Sequence, residues 1–359
     1  MDNYQFSKVY GANCLAYSPG STFIATALKD KVQVRSTSSL NCIRTWKCVL
    51  PDGPSTSGTQ DVVIDNLDWS PSGTCLLAFS DSRGLVWVFD LAQDQVVARV
   101  GGVLQAEWAE EDLLTQTEGH FQVLASDITG ISWSPCGKWL ALLDWTLSYT
   151  VHFYSPVGVH VGSFVRDLSS ASAHDMAQSI KRTAWSPNGR HFALGDSGGL
   201  VHVVESENWK SIASLRVERT TTTHSASPIN WLGFSPDGTV LFFGQETVLH
   251  VYAFLLDPAS SAPDIEPTVT VSFNAPIKSV QYCPTSNRIA VVTRTKFLYL
   301  YDGLGVEGVE IPEAESFNAI SVHWAPDGNS AAVCDKNAFC LVYEEAADQC
   351  AEDDRWDEL

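Results

Sequence analysis

Residues 195–199 read Gly-Asp-Ser-Gly-Gly and place Ser197 where a serine hydroxyl could act as a nucleophile. A serine performs covalent catalysis only when a histidine base takes its proton and a carboxylate orients that histidine. Those partners should lie upstream in recognisable segments of their own, and the sequence shows none. The pattern therefore supplies a nucleophile without the groups that would activate it.

The same five residues also fit a tight turn between two strands. Residues 81–84 read Asp-Ser-Arg-Gly at the corresponding place in an earlier part of the chain, and Asp, Ser and Gly are residues that tight turns favour. The turn is a sufficient explanation, so we prefer it to the active site of a chymotrypsin-like protease.

Three histidines, His152, His202 and His250, recur at one position of successive sequence units and could suggest a metal centre. Zinc needs its ligands about 2 Å from a single ion. The position would instead put each histidine between a different pair of repeating units, so we predict packing or a buried hydrogen bond. The sequence also lacks a phosphate-binding glycine-rich loop and an H-E-x-x-H motif, and we expect no catalytic residue, no metal and no cofactor.

The nine cysteines are odd in number and form no C-x-x-C pair. Several lie inside apolar segments, where a thiol packs as a small hydrophobe: Cys14, Cys75, Cys334 and Cys340. We interpret them as reduced. With an N-terminus that resembles no signal peptide, they indicate a cytosolic or nuclear protein.

One short pattern, an aromatic residue, a small residue, proline and turn residues, occurs seven times. The copies begin at Tyr17, Trp69, Trp133, Trp185, Phe234, Tyr282 and Trp324. Their spacings of 52, 64, 52, 49, 48 and 42 residues match the period of propeller blades. Each copy precedes an apolar strand, a tight turn and a second strand, and proline excludes a continuous helix.

These units predict an all-β fold, a seven-bladed β-propeller, because a lone blade can bury its faces only against neighbouring blades. The last unit supplies three strands, and residues 6–10 form an unassigned strand before the first motif. We expect that N-terminal strand to complete the last blade as its outer strand. The propeller then takes residues 1–343 as one domain, and residues 344–359 are an acidic tail that we expect to be disordered.

The charge of the chain excludes several classes of partner. Lys and Arg total 22 against 42 Asp and Glu, a net charge of −20. Nucleic acid and anionic membrane surfaces are poor partners for such a chain. The tail holds eight acids and one base, so the remaining 343 residues still carry −13. Microtubule surfaces are acidic too, and any link to them should be indirect.

The strand endings Val86-Trp87-Val88-Phe89-Asp90 and Leu298-Tyr299-Leu300-Tyr301-Asp302 resemble the ends of WD repeats. No unit ends in Trp-Asp and none opens with Gly-His. The buried Asp-His-Ser-Trp network that the resemblance implies therefore has no complete counterpart, and we expect the blades to depend more on apolar packing.

Further segments resemble the WD repeat-containing protein eight family of spindle poles and centriolar satellites. They are residues 6–10, 180–187, 208–210, 275–281 and 321–341. The resemblance implies a cytoplasmic, cytoskeletal protein at the spindle pole that anchors microtubule minus ends with a coiled-coil partner and a minus-end-directed kinesin. It fails at 101–127, where the family carries about two further repeats and this chain has an Ala-, Glu- and Leu-rich segment that favours a short helix.

Four polar insertions, at 51–61, 101–127, 166–179 and 217–228, each follow the outer strand of one unit and precede the next aromatic-proline strand. In a propeller these connections emerge on one face, where a rigid scaffold can present loops to a partner. The candidate partner-binding residues are Trp108, Trp145, Arg166, Arg219, Thr220, Thr221 and Trp231. The alternatives are that the loops are only solvated and that Trp231 is core.

We therefore expect a non-enzymatic interaction scaffold. The alternative is a propeller that acts as a substrate receptor or regulatory subunit of another assembly, such as a ubiquitin ligase or a chromatin complex.

Overall fold

The computed structural model describes most of the chain. The described residues are 4–50, 62–101, 108, 128–144, 149–166, 178–216, 227–255, 263–293, 297–311 and 317–344. Within them the chain forms 29 strands arranged in seven antiparallel sheets. Each sheet is one blade of a ring, so the predicted seven-bladed all-β propeller is confirmed.

The first four blades each take four consecutive strands, whose order along the chain is their order across the sheet. Blade 1 contains β3 (Cys14–Tyr17), β4 (Phe23–Leu28), β5 (Lys31–Ser36) and β6 (Cys42–Lys47). Blade 2 contains β7 (Asn66–Trp69), β8 (Cys75–Ser80), β9 (Leu85–Asp90) and β10 (Gln95–Gly101), with a 3₁₀ turn at Asp81–Arg83. Blade 3 contains β11 (Ile128–Trp133), β12 (Leu140–Asp144), β13 (Thr150–Tyr154) and β14 (His160–Val165). Blade 4 contains β15 (Ile180–Trp185), β16 (His191–Asp196), β17 (Leu200–Glu205) and β18 (Ser211–Arg216).

Blades 5 and 6 follow the same plan, and blade 7 combines the two ends of the chain. Blade 5 contains β19 (Trp231–Phe234), β20 (Val240–Gln245), β21 (Val248–Leu255) and β22 (Asp264–Ser272). Blade 6 contains β23 (Ile277–Tyr282), β24 (Ile289–Thr293), β25 (Phe297–Tyr301) and β26 (Val306–Glu310). Blade 7 contains β27 (Ser321–Trp324), β28 (Ser330–Cys334) and β29 (Ala338–Glu344), with β1 (Tyr4–Phe6) and β2 (Tyr10–Gly11) on its outer side.

The aromatic-proline motif is explained by the turn between the first and second strands of a blade. In blade 2 the hydroxyl of Ser70 accepts a hydrogen bond from the backbone N–H of Cys75 at 3.0 Å. Gly73 follows at φ +70°, a conformation that glycine adopts without strain. The serines of blades 1, 3, 4 and 5 accept the same bond from the residue five positions later. The serines of these Ser-Pro pairs therefore have a structural role in the turn.

The hydrophobic core lies between adjacent blades. Blades 1 and 2 meet through Trp46 and Phe89, whose rings stack with centroids 4.7 Å apart. Blades 3 and 4 meet through Phe153 and Trp209, which stack at 3.8 Å. Adjacent blades bury apolar faces against each other in this way, and the burial of apolar area is the dominant favourable term in folding.

The ring closes by pairing the N-terminus with the last blade. β1 and β2 both pair with β29, and between them Ser7 donates its N–H to the carbonyl of Leu341 at 2.9 Å. The predicted closure is confirmed, although the strand expected over residues 6–10 is two short strands. Tyr10 stacks on Phe339 at 5.7 Å, and the blade 7 residue Ser330 is 3.4 Å from the Tyr17 hydroxyl of blade 1.

The topology gives the ring two distinct edges. One edge carries the connections from an outermost strand to the next blade and the turns between second and third strands, and we call it the upper edge. The lower edge carries the other turns.

Across the described residues, no helix is long and apolar enough to span a membrane.

Candidate interaction surface

The four long insertions all leave the upper edge, because each joins an outermost strand to the innermost strand of the next blade. They follow β6, β10, β14 and β18. The sector from blade 1 to blade 5 therefore carries most of the additional chain at this edge, as the sequence pattern indicated. The connection between β21 and β22 leaves the lower edge instead, and β22 begins at Asp264.

Trp108 lies in the connection from blade 2 to blade 3 and rests on blade 2. Its indole N–H donates to the carbonyl of Asp68 at 3.2 Å, and its ring packs on the cluster of Leu77, Phe79 and Val86. The other face of the same blade holds Trp87 and packs on blade 1. Trp108 therefore covers the side of blade 2 that faces blade 3, and it remains partly exposed.

Arg166 lies between blades 3 and 4 and not on the open surface. Its side chain is 9% exposed, and its guanidinium lies 3.0 Å from the carboxylate of Asp196, whose side chain is fully buried. It also lies 5.2 Å from the centre of the Tyr149 ring. The position differs from the exposed one that the start of an insertion suggested, because β14 continues to Val165 and carries Arg166 into the gap between blades.

Asp196 explains the Gly-Asp-Ser-Gly-Gly segment. One of its oxygens accepts the backbone N–H groups of Gly198 and Leu200, both at 2.8 Å, and Gly199 has a φ of +75°. The Ser197 hydroxyl donates to the side-chain amide oxygen of Gln178 at 2.6 Å. The segment is the tight turn between β16 and β17, so the turn interpretation is confirmed. Burial raises the pKa of Asp196, while Leu200, Arg166 and Gly198 act in the opposite direction.

Trp231 is half-buried at the start of β19 and supports a neighbouring cation. The guanidinium of Arg182 lies 5.5 Å from the centre of its ring, on the adjacent blade. The sequence left open whether Trp231 is core or part of a binding surface, and the structure gives it features of both. Its ring packs against the core of blades 5 and 6 and also contacts the exposed guanidinium of Arg182. Trp145, Arg219, Thr220 and Thr221 lie outside the described residues.

The three repeated histidines each bond to the outermost strand of their own blade. His152 lies 2.8 Å from the hydroxyl of Ser163, His202 lies 3.0 Å from Ser214, and His250 lies 3.2 Å from Thr270. They sit on separate blades, as predicted. Burial, with a further contribution from Arg166, lowers the pKa of His202 to about 4, so that histidine is neutral at pH 7.

The described cysteines are free thiols, and several are buried. Burial raises the pKa of Cys14, Cys48, Cys334 and Cys340 to about 12. A protonated thiol is a poor nucleophile and a poor metal ligand. Among the described residues, no group of three or more His, Cys, Asp and Glu side chains could hold a metal ion.

Sequence reasoning did not single out Lys181, Arg182 and Lys278, which lie at the upper ends of the innermost strands of blades 4 and 6. The sequence did contain a pattern that could have identified the two lysines, because Ile180-Lys181 and Ile277-Lys278 occupy the same position of two repeating units.

Comparisons with known proteins agree with this architecture. The mouse (Mus musculus) WD repeat-containing protein WRAP73 is 21% identical, and the alignment covers 95% of this chain and 96% of that protein. The alignment spans 461 positions and is longer than the chain, so the relative has stretches without a counterpart here. No protein-family profile matches the chain.

Two solved structures share the fold. The β-propeller domain of Cps50 (Swd1) from Myceliophteria thermophila superposes with a TM-score of 0.63 at 14% identity, covering 94% of this chain and 99% of that one. A chain of a crystallised mitotic checkpoint complex gives a TM-score of 0.57 at 16% identity and covers 95% and 92%. The molecule thus has the β-propeller fold and is similar over its length to a WD repeat-containing protein.

Proposed function

We propose that this WD-repeat propeller is a non-enzymatic scaffold of a spindle-pole complex. In this role it helps to anchor microtubule minus ends through a coiled-coil partner and a minus-end-directed kinesin. The spindle-pole assignment and both partners come from the sequence resemblance. A full-length likeness to a WD repeat-containing protein supports the scaffold role.

The observation that carries the scaffold role is the shared position of the four insertions. All four leave the upper edge of a ring whose blades are packed through buried aromatic residues. A rigid ring that presents adjacent loops on one edge can hold a partner without changing its own shape. The competing hypothesis, a receptor or regulatory subunit of another assembly, would use the same surface for a different protein.

A loop exchange tests the proposal. Residues 217–226 are replaced by a Gly-Ser linker of equal length, which keeps Ser227, whose carbonyl accepts a bond from the Gln245 side chain at 3.0 Å. The matched control replaces residues 256–262, between β21 and β22 on the lower edge, in the same way. Both proteins are used as full chains for affinity capture from dividing cells.

We expect the unmodified chain and the lower-edge variant to recover the coiled-coil anchoring protein and the kinesin. The upper-edge variant should recover several-fold less of both, with an unchanged melting temperature. Recovery of a ubiquitin-ligase adaptor or histones in their place would overturn the spindle-pole assignment. Equal recovery by the two variants would show that the 217–226 connection takes no part in docking.

A further inference from the structure

Lys181 and Lys278 occupy equivalent bulges in two innermost strands. In blade 4, Ile180 pairs with Asp196 and Arg182 with Gly195, so Lys181 is the extra residue. In blade 6, Ile277 pairs with Thr293 and Ser279 with Val292, so Lys278 is the extra residue. A bulge residue leaves the regular alternation of the strand and re-aims its side chain. Both lysines therefore lie at the upper rim of the ring, on either side of blade 5.

Arg182 lies between them and is fixed by three contacts. Its Nε donates to the carbonyl of Asn230 at 2.8 Å, and its Nη1 donates to the carbonyl of Lys181 at 2.9 Å. Its guanidinium also stacks on the Trp231 ring of blade 5. These contacts hold the charge in one place while the side chain stays exposed. We call Lys181, Arg182, Lys278 and Trp231 the cationic sector.

The charge of the sector is unusual for so acidic a chain. Four salt bridges occur among the described residues, and neither Arg182 nor Lys278 belongs to any of them. Two carboxylates at the upper edge have local partners of their own. Glu246 accepts a bond from the hydroxyl of Ser227 at 3.2 Å, and Asp65 accepts one from the backbone N–H of Asp81 at 2.8 Å.

We propose that the cationic sector binds a carboxylate-rich peptide segment of a partner protein. The inference extends the scaffold function proposed above by giving the chemistry of one partner. Two cations on blade 4 and one on blade 6, with Trp231 of blade 5 between them, match an extended chain with several Asp or Glu residues better than one compact anion. Arg182 is pre-organised for a carboxylate because its stem and two of its donors are already held. A long nucleic acid would meet the −20 net charge beyond the sector.

Fluorescence anisotropy with a labelled peptide tests the proposal on the full chain. The probe is a synthetic ten-residue peptide of alternating Glu and Gly, and a Gln-Gly peptide serves as its neutral counterpart. The test variant is Lys181→Glu with Lys278→Glu. The matched control is Lys138→Glu with Lys210→Glu, which makes the same charge change at two exposed lysines of the lower edge.

We expect the upper double variant to weaken binding of the Glu peptide about tenfold or more, and the control to change it about twofold or less. The milder pair Lys181→Gln with Lys278→Gln should give an intermediate loss, and all variants should melt like the unmodified chain. Binding should weaken as salt is raised, because exposed charges are screened.

Three results would overturn the proposal. The first is equal loss in the upper and lower variants, which would reflect net charge alone. The second is tighter binding of a serine-phosphorylated peptide or of a single-stranded oligonucleotide than of the Glu peptide. The third is equal binding of the Gln peptide. None of these results would affect the capture of partners through the upper-edge connections, so the two proposals fail separately.

Discussion

The ion pair of Arg166 and Asp196 joins blade 3 to blade 4 where both are closed to water. Asp196 is fully buried and Arg166 is 9% exposed, and the nearest charged atoms are 3.0 Å apart. The desolvation of both charges offsets much of their attraction, but removal of one partner leaves the other buried without compensation. The pair therefore makes the blade 3–blade 4 interface sensitive to the loss of either side chain.

The variant Arg166→Met should lower the free energy of unfolding by about 3 kcal/mol at pH 7. Urea denaturation measures the change. In this variant Asp196 keeps two backbone N–H donors but loses its cation, so its folded-state pKa rises further above the ordinary value. A carboxyl group with a raised folded-state pKa favours the folded protein when protonated. The deficit should therefore shrink as the pH is lowered from 7 to 5.

Two further variants show whether the loss of stability in Arg166→Met comes from the buried ion pair. Arg288→Met removes an exposed pair with Glu344 and should change stability by about 1 kcal/mol or less. The double variant Arg166→Met with Asp196→Asn removes both charges while an amide oxygen still accepts the turn N–H groups, and it should recover part of the loss. A deficit in Arg166→Met no larger than that in Arg288→Met would contradict a structural role for the buried pair.

The pair of Arg166 and Asp196 shows which features of single residues can be predicted from the sequence. The turn at 195–199 was predictable, because Asp, Ser and Gly follow a strand and recur in another unit. The partner of Asp196 was not, since Arg166 lies 30 positions away and its burial depends on where β14 ends. The cationic sector was missed for a similar reason, because two lysines that are distant in the sequence come to flank blade 5 only when the blades close into a ring.

Whole strands were easier to predict than contacts between them. The aromatic-proline motif located seven innermost strands, and in five of the blades its serine fixes the following turn. Outermost strands such as β10 and β26 carry mostly exposed residues and have a weaker apolar pattern. The short helix suggested for the 101–127 segment lies outside the described residues, apart from Gly101 in β10 and the contact of Trp108 with blade 2.

The N-terminal strands are the element on which ring closure depends. Deletion of residues 2–11 removes β1 and β2 and exposes the outer edge of β29, including the ring of Phe339. We expect the melting temperature to fall by about 10 °C or more, with aggregation through the unpaired edge. Differential scanning calorimetry and light scattering measure the two effects.

The control for that deletion is a chain shortened after Glu344, which keeps every strand of blade 7 and should melt within about 2 °C of the full chain. A synthetic peptide of residues 2–12, added in excess, should restore much of the lost stability, since it can pair again with β29. A deletion variant that melts like the control would show that blade 7 closes without its N-terminal partner.

The charge of the complete molecule limits how it can reach a microtubule. The chain carries −20, and the residues before the tail still carry −13. Beyond about 10 Å, the Debye length at 0.1 M salt, other charges are largely screened, and at closer range an acidic surface repels a second acidic surface. The cationic sector is a small local exception within this field. A bridging partner therefore fits the charge better than direct contact with the lattice.

We expect the purified chain to remain in the supernatant when stabilised microtubules are sedimented, at both low and moderate salt. Lower salt should not promote binding, because it lengthens the range of like-charge repulsion. Addition of the coiled-coil anchoring protein should bring the chain into the pellet. Direct pelleting of the chain alone, lost in the Lys181→Glu, Lys278→Glu variant, would show instead that the cationic sector holds the acidic lattice itself.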